Sequence, residues 1–110
     1  MPPRLKTRFW VDAYLTRLRL VDIAAFITAH GDDDAGAVLV KSNSLDGKAR
    51  LFAKSFDPTS GAPVWAELAS GPESEIDDTI TRQRGYDPDL WVIEVEDMQG
   101  RHLLNEEGLA

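Results

Sequence analysis

One stretch near the C-terminal end constrains the fold more than any other. Asp87-Pro88-Asp89 cannot prolong a helix, because proline has no N–H to donate and its ring crowds the residue before it. The chain then alternates Trp91, Ile93 and Val95 with Val92, Glu94 and Glu96. That period of two predicts a strand with one apolar face, so the chain must build a sheet and cover it. A second signal fixes how part of that sheet is joined. Asp46-Gly47 is a strong hairpin turn, and it separates the apolar run Ala37 to Lys41 from the stretch Arg50 to Phe56, so these two strands are expected to pair. The run 37–41 is nearly uninterrupted apolar sequence, as in a strand covered on both faces.

The other elements follow from spacing. Trp10, Tyr14 and Leu18 recur every four residues with Val11 and Leu15 beside them, which predicts a helix over about residues 8–21. Leu18 and Leu20 between Arg17, Arg19 and Val21 also read as strand alternation, so the last few residues stay open between helix and strand. Ile23 to Ala29 reads as a strand, ended by Gly31 and the run Asp32 to Asp34. Asp57 to Pro63 is loop chemistry, and Val64 to Ala69 is read as a strand in preference to a helical turn. Ser70 followed by Glu73 fits a capping box that opens a second helix, over about 73–84. Its acids cluster at the positive N-terminal end, and Arg82 and Arg84 precede Gly85 at the negative end. Ile76 and Ile80 give it a narrow apolar stripe. Asp97 to Gly100 is a turn, and Arg101 to Leu104 is expected to return as a short strand. The order predicts an α+β fold, a mainly antiparallel sheet with two helices, with residues 1–110 as a single domain.

Composition narrows the classes of function. A chain of 110 residues can bury one core, and 43% hydrophobic with 28% charged residues is ordinary for a folded globule. There is no cysteine, which removes disulfides, thiolate metal sites and a cysteine nucleophile. The apolar stretch after Arg4, Lys6 and Arg8 is broken by Asp12, Thr16, Arg17 and Arg19, unlike a secretory signal. No run approaches the roughly 18 apolar residues that span a bilayer. A cytoplasmic protein with no membrane contact is expected. The net charge of −7 disfavours nucleic acid as a partner. Charge is also polarised: Arg4, Lys6, Arg8, Arg17 and Arg19 oppose only Asp12 in the first nineteen residues, whereas nine acids oppose Arg82 and Arg84 between Glu73 and Asp97. The basic end is expected to meet the acidic one within the chain or in a second copy, unless both are simply solvated.

Asp87-Pro88-Asp89-Leu90-Trp91-Val92, continued by Glu94, Glu96, Asp97, Gly100, Arg101 and His102, resembles a bacterial family catalogued as domain of unknown function 1491. Phe9-Trp10-Val11 with Ala13, Tyr14, Leu15 and Arg17 carries the same resemblance, as do Ala35-Gly36-Ala37, Val40-Lys41 and Leu45-Asp46-Gly47. Asp57 to Ala69 matches least. The resemblance implies a small cytoplasmic bacterial protein and supplies no catalytic residue.

Chemistry must therefore come from the residues. His30 and His102 are the two histidines, each near acids, and Glu94 and Glu96 project from one face of a strand. Glu94, Glu96 and His102 are the weak candidates for a hydrolytic or metal-assisted site, since paired carboxylates can divide acid and base roles. The amphipathic strand already accounts for both glutamates, and no HxH, HExxH or EF-hand spacing occurs, so no metal is expected. No glycine cluster forms a phosphate loop and no serine lies in a nucleophile elbow, so no cofactor is expected. Trp10 and Trp91 are expected in the core, and Trp65, just after the loop, at the surface. Arg17, Arg19 and Trp65 are the candidate partner-binding residues. The reading is a non-enzymatic interaction or accessory domain that meets a protein partner or a second copy of itself; the alternative is a small hydrolase built on the Glu/Glu/His set.

Overall fold

The computed structural model describes residues 5–106, 108 and 109. Arg4, the first of the basic residues, lies outside them. The elements are α1 (Thr7–Leu20), β1 (Ala24–Ala29), β2 (Val38–Asn43), β3 (Lys48–Phe56), β4 (Pro63–Pro72), α2 (Glu73–Tyr86) and β5 (Trp91–Glu96). The five strands form one sheet in the order β1-β5-β2-β3-β4. β2, β3 and β4 are an antiparallel meander, with the Asp46-Gly47 turn joining the first two as expected. α2 then carries the chain back across one face, so β5 enters between β1 and β2, parallel to β2 and antiparallel to β1. Parallel neighbours need such a crossover. The sheet is therefore mixed, with one parallel pair among antiparallel ones.

Each face of the sheet has its own core. Register aligns Val40 with both Phe52 and Ile93, and these pack with Val11, Tyr14 and Leu18 of α1. The opposite face presents Leu39, Ala49 and Leu51 to Ile76 of α2, with Leu90 alongside. β2 is thus covered on both sides, which is why its first half, Val38 to Val40, is wholly apolar and why the polar Lys41, Ser42 and Asn43 that follow are buried as well. Trp91 is buried in the first core and Trp10 is half-buried at its margin.

The loop between β1 and β2 fits tightly around Trp91. The Trp91 indole N–H donates to the Asp32 carbonyl at 2.8 Å, and the His30 ring lies 4.0 Å from the Trp91 ring. A Cβ on Gly31 would stand 2.2 Å from the Asp89 carbonyl oxygen, and one on Gly36 would stand 2.4 Å from it. Only glycine fits either place. The same loop caps α1: the Thr7 and Arg8 N–H groups donate to the Asp34 and Asp33 carbonyls, satisfying donors that a helix start leaves free.

One boundary left open is settled and three local expectations are corrected. α1 stays helical through Leu20, because the helix buries Leu18 completely and leaves Leu20 outside. Ser70 caps nothing: it lies in β4 opposite Arg50, the residue before the helix is Pro72, and the Glu73 N–H donates to the Gly47 carbonyl. α2 also runs past Arg84 and through Gly85 to Tyr86, stopping only at Asp87-Pro88. Arg101 to Leu104 forms no strand. Tyr14 Oη donates to the His102 carbonyl at 2.7 Å and Leu103 adopts φ 61°, so this segment turns under α1 and seals the first core with Leu104 and Leu109.

Candidate functional site

Two features concentrate chemistry, one ionic and one apolar. The ionic one grows from Lys41, a charged residue in the middle of a doubly covered strand. Burying an ammonium is costly unless it is paired and hydrogen-bonded, and this one is both. Lys41 Nζ donates to Glu73 Oε2 and Asp77 Oδ1, each at 2.7 Å, and lies 3.2 Å from Glu94 Oε1. Asn43, two residues along the same face, donates to Glu73 Oε2 at 3.0 Å and Glu94 Oε2 at 3.1 Å. Burial alone pulls the Lys41 pKa down, but the hydrogen bonds its ammonium donates to Asp77 and Glu73 and the charge of Glu94 outweigh it and hold the pKa above the ordinary lysine range. The ammonium occupies the centre between the carboxylates, where a metal ion would have to sit. Among the described residues no three His, Cys, Asp or Glu side chains are arranged to hold a metal ion.

The Glu94, Glu96 and His102 set does not come together. Glu94 lies on the α2 face within the lysine cluster, and Glu96, opposite Asn43 on β2, shares that face. His102 lies on the other face, its ring 4.5 Å from Phe52 and its Nδ1 accepting from the Leu104 N–H. Burial, and secondly the charge of Arg50, hold the His102 pKa below the usual histidine value. The ring fills space in the first core.

The apolar feature lies at the end of the sheet where β2 begins and β3 turns into β4. A groove of about 830 Å³ runs there between the start of α1 and the end of α2. Leu5, Phe56 and Leu68, all more than half exposed, line it together with Trp10 and Trp65. Trp65 is half-buried: its indole N–H donates to the Leu109 carbonyl at 2.8 Å, and its ring lies 5.2 Å from that of Trp10, which donates to the same oxygen at 3.3 Å. Arg17 binds the same C-terminal segment through Glu106 at 3.0 Å, while Arg19 is exposed on α1.

Among the described residues, the ion pairs of the basic start are made with other acids than those between Glu73 and Asp97. Lys6 pairs with Asp34, Arg8 with Asp33 and Arg17 with Glu106, whereas Glu73, Asp77 and Glu94 gather around Lys41. Proximity decides these pairs: the loop that caps α1 brings its own aspartates to Lys6 and Arg8. Two things escaped the sequence reading. The lysine cluster had a visible signal, since a lysine closing an apolar run of a doubly covered strand needs buried partners. The groove had none, because Leu5, Phe56 and Leu68 are far apart in sequence.

Fold and site together define a small α+β protein: a five-stranded mixed sheet with one helix on each face, a satisfied ionic cluster under one helix and an apolar groove at the sheet's end. The chain belongs to the family described as Protein of unknown function (DUF1491), which matches residues 5–105. It is similar to a DUF1491 family protein from Caulobacter crescentus CB15 at 38% identity, over 93% of this chain and 94% of that one. The TM-score is 0.81 to the crystal structure of that protein and 0.78 to an NMR structure. The solution structure of protein Atu0922 from A. tumefaciens shares the fold, with a TM-score of 0.73 at 24% identity over 98% of this chain and all of that one. No curated protein matches.

Proposed function

We propose that this protein is a non-enzymatic interaction domain whose contact surface is the groove around Trp65. The observation that carries the reading is that Leu5, Phe56 and Leu68, separated in sequence and each largely exposed, line one groove with two tryptophans. Scattered apolar residues on a surface need no explanation, but a contiguous concave set in an acidic chain marks a place for a partner's apolar side chains. Trp65 and Trp10 would anchor such a contact, being rigid and held by their bonds to Leu109. Enzymatic readings have less to rest on, since Glu94 is engaged by Lys41 and Asn43 and His102 lies across the sheet from it.

The reading includes a cytoplasmic location, supported by the absence of cysteine. No helix among the described residues is long and apolar enough to cross a membrane. The test is affinity purification with the wild-type chain and with Phe56→Ser combined with Leu68→Ser, followed by reconstitution of the identified partner from purified components. A partner that binds the wild type and binds the variant at least tenfold more weakly supports the reading. Equal binding by both overturns the groove as the contact surface.

A further inference from the structure

The sheet ends on two strands, and they are protected very differently. β4 begins at Pro63 and ends at Pro72, and its Glu67 carboxylate is bonded to Arg50 of β3. Prolines and charges are what keep an open edge from pairing with another chain. β1 has neither. It is bonded to β5 on one side only, and its residues Ala24-Ala25-Phe26-Ile27-Thr28-Ala29 carry no charge and no proline. Phe26 is 52% and Ile27 42% exposed. In a chain of net charge −7 this edge is a place where a second copy can approach without meeting like charge.

We infer that β1 pairs antiparallel with β1 of a second copy, about a two-fold axis through Phe26, so that two sheets become one. The strand is complementary to itself in this register. Phe26 falls opposite Phe26, an aromatic cross-strand pair, and the bulky Ile27 falls opposite the small Ala25. A two-fold axis perpendicular to the sheet keeps both Phe26 rings on the face that carries Glu94, which α2 leaves open at this end because it packs on β3 and β4. The bulge at Thr28 ends regular pairing there. Contact is therefore short, smaller than a standard stable interface, and a dissociation constant in the micromolar range follows. This surface is separate from the groove around Trp65, so the two readings fail independently.

Sedimentation equilibrium over roughly 5 to 500 µM tests it, a range chosen to bracket micromolar affinity. The wild type should rise from the mass of one chain towards that of two. Phe26→Lys puts two like charges on the axis and should stay monomeric throughout, with an unchanged denaturation midpoint because Phe26 is half exposed. The chain has no cysteine, so engineered ones report the register. Phe26→Cys should oxidise to a covalent dimer, since directly opposed residues meet disulfide geometry. Ala24→Cys should not, because its two copies would stand about 13 Å apart along the strands. A wild type monomeric at the highest concentration overturns the inference. So does a dimer that survives Phe26→Lys, one that is lost in Phe56→Ser with Leu68→Ser, or cross-linking of Ala24→Cys as fast as of Phe26→Cys.

Discussion

Lys41 Nζ and the Asp77 carboxylate stand 2.7 Å apart across the gap between β2 and α2, tying the middle of the sheet to the first turns of the helix that crosses it. Glu73 makes a second tie of the same length, so the start of α2 is positioned by the lysine as much as by Ile76. Lys41→Met keeps the side chain's length and removes its charge. Three carboxylates would then face one another without a cation between them, although Glu73 and Asp77 are open enough to turn towards water. Removing one partner of a buried pair costs about 3 to 5 kcal/mol, and the open carboxylates place this change at the lower end, about 3. Urea denaturation measures it. Combining Lys41→Met with Glu94→Gln should recover part of the loss, because Glu94 is the least exposed of the three acids.

Trp91 should prove the most sensitive position of the first core. It is 1% exposed, touches His30 and donates to the Asp32 carbonyl, so Trp91→Ala removes packing from the core and from the loop that caps α1. A loss of about 3 to 5 kcal/mol is expected. Gly31→Ala should be severe for a different reason, since its methyl would meet the Asp89 carbonyl and the Trp91 ring. Chemical denaturation at equal protein concentration checks both, and a wild-type midpoint in either variant contradicts the packing described.

What the sequence made legible was whatever local periodicity encodes. The strand from Trp91, the Asp46-Gly47 hairpin and the α1 stripe of Tyr14 and Leu18 all declare themselves within a few residues, and all are present. The capping box at Ser70 misled because β4 continues into α2 without a break, and Pro72 with the Gly47 carbonyl does the work a serine would do. Arg101 to Leu104 follows a turn, as a returning strand would, but is fixed by Tyr14, eighty-eight residues away from His102. The Lys41 cluster joins β2, α2 and β5, and the insertion of β5 beside β2 is a topological fact that no window of sequence contains. Glu94 and His102, eight residues apart, fall on opposite faces of the sheet for the same reason: the turn after β5 carries the chain under α1.

The C-terminal segment should loosen when its indole bonds are removed. Trp65→Phe keeps a ring in the groove and deletes the 2.8 Å bond to the Leu109 carbonyl, leaving the longer bond from Trp10. A cost of about 0.5 to 1.5 kcal/mol is expected. Arg17→Glu should act on the same segment by replacing its pair to Glu106 with a repulsion, worth about 0 to 1 kcal/mol because both groups are partly exposed. Hydrogen exchange should show faster exchange of the Leu109 N–H in both variants, with the β2 and β5 amides unchanged.

Acid should destabilise the fold partly through His102. Its ring is buried against Phe52, and Nδ1 accepts from the Leu104 N–H, which a protonated Nδ1 cannot do. Burial, then the Arg50 charge, lower its folded pKa, against an opposing pull from Glu67. In the unfolded chain the group returns to about 6.5. Between the folded value and 6.5 the unfolded chain therefore binds a proton that the folded chain does not, and stability rises with pH across that window. The contribution is fully present above about 6.5 and is lost as pH falls towards the folded value. His102→Phe retains a ring against Phe52 and cannot titrate, so its unfolding free energy should depend less steeply on pH than that of the wild type just below about 6.5. His30 is present in both proteins and cancels in the comparison. Urea denaturation at a series of pH values measures the two slopes, and equal slopes would show that His102 is already charged in the folded protein or does not change its pKa on folding.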